Sequence, residues 1–191
     1  MNNLASKINE LTKKLAAAPD NDALFNERAG LYQKLKEYEK SKKDAYKCLE
    51  IKPESAEYLV SYGNSLAWLG DYGDAIEYFS NAIDKDDTNP YYYHCRGNCY
   101  QRLNEKIIHE QDSKNRDGYT KSLEDYDRAI RLNPSNAEYY YLKGISYGWL
   151  GDFRKSHESY GKALEINPDD TRYLNEFEAM SAVIEKYLNK N

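Results

Sequence analysis

The sequence predicts an all-α chain of stacked helical hairpins, and three observations predict it. Small residues recur at a fixed interval, with Ala29, Gly63 and Gly97 each 34 residues apart. Prolines keep the same interval from Pro19 to Pro53 and again from Pro134 to Pro168. Between these marks, large residues fall three and four positions from the small ones, which is the spacing of one helical face. A fixed period in this range marks an array in which each unit buries its apolar face against its neighbours.

The chain is read as a single domain, 1–191, beginning with a closing helix. In residues 1–21, Leu4, Ile8, Leu11 and Leu15 form a one-sided stripe, and Pro19 stands one period before Pro53. Four units follow at 22–55, 56–89, 90–136 and 137–170. In each, a large residue (Phe25, Leu59, Tyr93, Tyr140) precedes the small one (Ala29, Gly63, Gly97, Gly144) by four, and a bulky one follows by three. The second helix of each unit carries small residues at Ser41, Ala75, Ser122 and Ser156, then at Cys48, Ala82, Ala129 and Ala163. Small side chains at a helix crossing let two backbones approach while aromatics fill the space beside them.

Punctuation agrees with the hairpins. LGDY (69–72) and LGDF (150–153) mark the turns within units, because glycine tolerates the left-handed conformation that ends a helix. Pro53, Pro134 and Pro168 end second helices by removing an amide donor and disfavouring helix before them. The unit 90–136 holds 13 extra residues near 104–117: EKIIHEQ is expected to prolong its first helix and DSKNRDG to form a polar loop. Arg28, Arg96 and Lys143 occupy one position of the period, with stems expected to pack and heads to meet acids such as Asp125. Residues 171–191 close the back through Tyr173, Phe177, Met180, Ile184 and Tyr187.

SYGNSLAWLGDYGDAIEYFSNAI and YLKGISYGWLGDFRKSHESYGKALEINP resemble tetratricopeptide repeats, whose spaced large, small and proline positions they follow with substitutions. The resemblance spans the four units. It implies a right-handed superhelical solenoid of four tetratricopeptide helix–turn–helix repeats with N- and C-terminal capping helices, acting as a non-catalytic protein-interaction scaffold. The first helices would line a concave groove that takes a peptide or partner segment. Family members that hold acidic chaperone tails use lysine, arginine and asparagine at set groove positions. Here those windows hold Asn26 with Gly30, or Val60 with Asn64, and then Cys95, Glu138 and Leu142, so that clamp is not expected.

The groove residues assigned to peptide binding are Asn64, Trp68, His94, Asn98, Arg102, Tyr141 and Trp149. Asn64 and Asn98 lie one period apart, and an amide both donates to and accepts from an extended backbone. Trp68, Tyr141 and Trp149 are anchor types, and His94 and Arg102 would select a polar or acidic group. Val60, Cys95, Gln101 and Leu142 are placed on the same lining.

Composition narrows the alternatives. The net charge of −5 with scattered basic residues lacks the footprint of nucleic-acid binding. No apolar run approaches the roughly 20 residues of a membrane span, and no secretory leader pattern opens the chain. The three cysteines, Cys48, Cys95 and Cys99, are odd in number and unevenly spaced, which suits reduced thiols in the cytoplasm. His94, Cys95 and Cys99 cluster in YYYHCRGNCY, yet only the cysteines share a helical face and no further ligands complete a zinc tetrahedron. Neither cofactor nor metal is expected, and a metal or redox role at Cys95/Cys99 ranks last. His109 and His157 suggest no catalytic triad. Tyr91, Tyr92, Tyr139 and Tyr141 are expected at the surface, where a self-assembling homo-oligomer or adaptor is the alternative to peptide capture.

Overall fold

The computed structural model describes residues 2–110 and 116–188, and at residues 2, 108–110 and 188 it describes the backbone alone. Ten helices and no strand occur among the described residues. The chain divides into two compact units, Met1–Asp87 and Thr88–Asn191.

The first unit contains α1 (Asn2–Ala17), α2 (Asp22–Lys34), α3 (Tyr38–Ile51), α4 (Ala56–Leu69) and α5 (Tyr72–Lys85). The side chains of Asn21 and Ser55 accept hydrogen bonds from the amides of Leu24 and Tyr58, satisfying otherwise orphaned donors at the starts of α2 and α4. Helix α1 docks through Ile8 and Leu11 against Leu31, with Leu4, Leu24, Tyr32 and Leu35 around them. A fully buried leucine or isoleucine contributes roughly 1.5–3 kcal/mol. The exposed Lys7–Glu27 ion pair contributes at most about 1 kcal/mol, so apolar burial holds this helix in place.

The second unit contains α6 (Pro90–Glu110), α7 (Asp117–Leu132), α8 (Ala137–Trp149), α9 (Phe153–Ile166) and α10 (Thr171–Leu188). Hairpins α6/α7 and α8/α9 pack on one another through α7 and α8, and α10 covers α9. Part of the insertion is helix. Asp117 and Gly118, expected in a loop, are the first turn of α7. The Gly118 amide donates to Asn104 Oδ1 at 2.7 Å, and a β-carbon at Gly118 would stand 2.5 Å from the Tyr100 carbonyl oxygen. Only glycine lets the two helices close here. Residues 111–115 of the expected loop lie outside the described residues.

In three of the four hairpins, the small residue of the first helix meets a ring of the second. Gly63 faces Phe79, Gly97 faces Tyr126 and Gly144 faces Tyr160. At the matching positions of the first hairpin stand Ala29 and Ala45, both fully buried. Where the second helix lacks a ring, the first helix carries a methyl, which takes up part of the space the ring would fill. The turns behave similarly: Gly70 and Gly151 have φ of +89° and +82°, and Lys36, one period before Gly70, takes φ +60° without glycine's freedom.

Buried polar groups tie successive hairpins together. In the first unit Ser41 Oγ meets Ser65 Oγ at 2.8 Å, and Gln33 Nε2 donates to Ser65 Oγ and the Ser61 carbonyl. In the second unit Ser122 Oγ meets Ser146 Oγ at 2.6 Å, and Gln101 Nε2 donates to Ser146 Oγ and the Leu142 carbonyl. Tyr126 also donates to Gln101 Oε1 at 2.8 Å. As expected, Arg96 meets Asp125 through two hydrogen bonds, and Arg28 grips Asp44 the same way. Lys143 turns to Asp127 instead, because the last unit has Ser159 where Asp44 and Asp125 stand.

Candidate functional site

The assigned residues fall on the first helices of hairpins, and each unit carries its own set. In the first unit Asn64 is half-buried on α4, and Trp68, one turn later, is 63% exposed. The indole lies flat on Tyr38, with ring centroids 5.3 Å apart and planes 3° from parallel. Another position on this helix, Glu57, accepts from Asn26 Nδ2 at 2.6 Å.

In the second unit His94, Asn98 and Arg102 lie four apart along α6 and share a stripe. His94 is packed between Tyr91 and Tyr139, at 6.0 and 5.3 Å, and its Nδ1 is buried without a hydrogen-bond partner. Burial pushes its pKa below the usual histidine range, against a weaker upward pull from Glu138, so the ring is neutral at pH 7. Asn98 is half-buried, and Arg102 is exposed and reaches Glu105 at 3.1 Å. On α8, Trp149 repeats the arrangement of Trp68: it is 42% exposed and lies on Tyr119 at 5.5 Å and 6°.

Tyr141 is a different case. Its ring contacts Tyr160 and Tyr173, and the Arg172 guanidinium lies 5.2 Å above it. Glu138 is engaged as well, accepting from Arg172 at 3.0 Å and from the Tyr173 hydroxyl at 2.8 Å. These contacts seat α10 on α8.

Family profiles described as tetratricopeptide repeat match residues 23–55 and 137–170, and a profile described as TPR repeat matches 117–151. This chain carries tetratricopeptide repeats. Stress-induced-phosphoprotein 1 of Caenorhabditis elegans is 31% identical over 103 residues, covering 54% of this chain and 28% of that protein. Human tetratricopeptide repeat protein 28 is 31% identical over 72 residues, 38% of this chain and 3% of its own length. The chain therefore spans a small part of the curated relatives it matches. Among solved structures, MamA from Desulfovibrio magneticus RS-1 superposes with a TM-score of 0.73 at 18% identity, covering 88% of each chain. The first repeat domain of Spaghetti, bound to an HSP90 peptide, superposes at 0.60 with 24% identity, covering 69% of this chain and 94% of that one. Both likenesses concern the fold.

Several positions assigned to the tetratricopeptide groove are instead interior. Val60, Cys95, Gln101 and Leu142 are buried, because packing covers more of the first-helix face than helical periodicity alone indicates. Tyr92 and Tyr139, expected at the surface, are buried too, which leaves Tyr91 exposed and Tyr141 half-buried. Cys95 and Cys99 are buried, and burial pushes both thiols up to about 12, so they pack as small apolar groups and are poor nucleophiles at neutral pH. No cluster of metal-ligating side chains occurs among the described residues. His157 stacks on Phe177 at 4.0 Å and bonds Ser181, while the His109 side chain lies outside the described residues. No described helix is long and apolar enough to cross a membrane.

Tyr38 and Tyr119 escaped sequence reasoning, although a signal was present. They stand 81 residues apart, the same interval that separates Trp68 from Trp149.

Proposed function

We propose that this chain is a non-catalytic scaffold that holds an extended segment of a partner protein against the first helices of its repeats. The observation that carries the reading is the aromatic platform found once in each unit. An exposed tryptophan held flat on a tyrosine offers a large apolar face whose rotamer freedom is already spent, so binding costs less entropy than at a mobile side chain. Asn64 in the first unit, and Asn98, His94 and Arg102 in the second, supply polar contacts to a peptide backbone. Tyr141 acts beneath them by positioning α8 against α10.

An acidic chaperone tail is not the groove ligand proposed. The HSP90 peptide belongs to the Spaghetti complex, and here Cys95 and Leu142 are buried and Glu138 is acidic. The test is affinity capture by the full chain from its native cell, quantified by mass spectrometry, beside W68A/W149A and N64A/N98A. Proteins recovered by the wild type and depleted by both variants are expected. Undiminished recovery by both variants would overturn the assignment.

A further inference from the structure

The repeat register brings one cleft back twice, with different chemistry each time. In the first unit a 610 Å³ cleft between α2, α3 and α4 has Phe25, Tyr46 and Tyr62 as its apolar wall and Lys42, Lys43 and Lys47 on its rim. In the second unit a 500 Å³ cleft has Tyr140, Gly161 and Phe177 in the corresponding places, and His157, Glu158 and Lys162 on the rim. Each residue of the second set lies 115 positions after its counterpart in the first. The cavity is thus a by-product of stacking hairpins, and what distinguishes the first copy is its side chains.

Charge is the main distinction. In the first cleft Arg28 and three lysines face Asp44 and Glu50. In the second, Lys143 and Lys162 face Glu158 and Glu165, which balance. Asp44 is consumed by its two bonds to Arg28. Lys42 lies 3.5 Å from Glu39, and Lys47 meets Glu50 at 2.5 Å. Such exposed pairs on one helix are weak and can be exchanged at little cost. Lys43 is exposed and makes no ion pair among the described residues. The wall is also ready-made: Tyr46 is 48% exposed and tilts against Tyr62, whose ring meets Tyr78 edge-on at 4.7 Å. A basic cleft with an exposed tyrosine complements an acidic segment that also carries an apolar side chain.

We propose that the cleft between α2, α3 and α4 docks an acidic segment of a partner protein, its carboxylates on Lys42, Lys43 and Lys47 and an apolar side chain against Tyr46 and Tyr62. This surface uses none of the groove residues, so the two assignments stand or fall separately. The probe is a fluorescein-labelled peptide, DEEDWDEED, titrated with the full chain and followed by anisotropy. Binding that weakens at least tenfold in K42Q/K43Q, and also in Tyr46→Ala, is expected, with circular dichroism showing both variants folded. Equal binding by K42Q/K43Q, or equal binding of the uncharged peptide NQQNWNQQN, would overturn the proposal. So would a loss of affinity in N64A/N98A in place of K42Q/K43Q, which would put the peptide in the groove. Absence of peptide binding, accompanied by a homodimer in sedimentation velocity or by poly(U) binding that K42Q/K43Q abolishes, would assign the cleft to another occupant and equally overturn it.

Discussion

Replacing Gly144 by alanine sets a steric penalty against a gain in helix propensity, and the geometry decides the sign. The new methyl would stand 2.5 Å from Tyr160 Cε1 and 2.7 Å from Cδ1, so the ring must withdraw by roughly 1 Å to reach ordinary contact. It has little room: Tyr160 is only 3% exposed and its ring packs against Tyr141. Overpacking of this kind costs about 1–3 kcal/mol, whereas glycine to alanine within a helix returns about 1 kcal/mol. A net loss on the order of 1 kcal/mol is expected. Gly30 provides the contrast, since nothing lies within 4 Å of its would-be β-carbon and Gly30→Ala should gain roughly 0.5–1 kcal/mol. The double variant G144A/Y160A recreates the alanine pair found at Ala29 and Ala45, so adding Gly144→Ala to Tyr160→Ala should cost nothing further. Urea unfolding followed by circular dichroism reads all three. A Gly144→Ala midpoint at or above that of the wild type would refute the reasoning.

Gln101→Ala would strand the buried Tyr126 hydroxyl and remove two further buried bonds, to the Leu142 carbonyl and Ser146 Oγ, at about 2–4 kcal/mol, while Gln33→Ala loses only two half-buried bonds of 3.4 Å and should cost about 1 kcal/mol or less. Equal midpoints in urea for the two variants would contradict that ranking. His94, with a folded-state pKa depressed by burial, binds a proton more readily when unfolded. Stability should therefore be full above the usual histidine pKa and decline as pH falls below it; His94→Gln should flatten that slope between about pH 7.5 and 5.5, and an unchanged slope in thermal melts would remove His94 as its source.

Much of the architecture was legible because repetition multiplies weak local signals. One glycine says little, but Gly63, Gly97 and Gly144 in one register imply the same crossing, and each does meet a ring. The partnership of Arg96 with Asp125 was readable for a similar reason: a cation on a packing face needs an acid within reach of its head. The surface was read less well. Helical periodicity separates one face from another yet cannot say how wide a stripe the next hairpin will cover, so Gln101 and Leu142 were placed in the groove although they are interior.

The sequence by itself determined where helices begin and end outside the insertion, and which residues share a face, because capping, backbone conformation and 3.6-residue periodicity act within a few neighbours along the chain. Only the tertiary structure decided which tryptophans rest on tyrosines, which lysines stand over an aromatic wall, and which histidine nitrogen is left dry. Those outcomes depend on side chains from different helices meeting at distances set by how closely the hairpins pack.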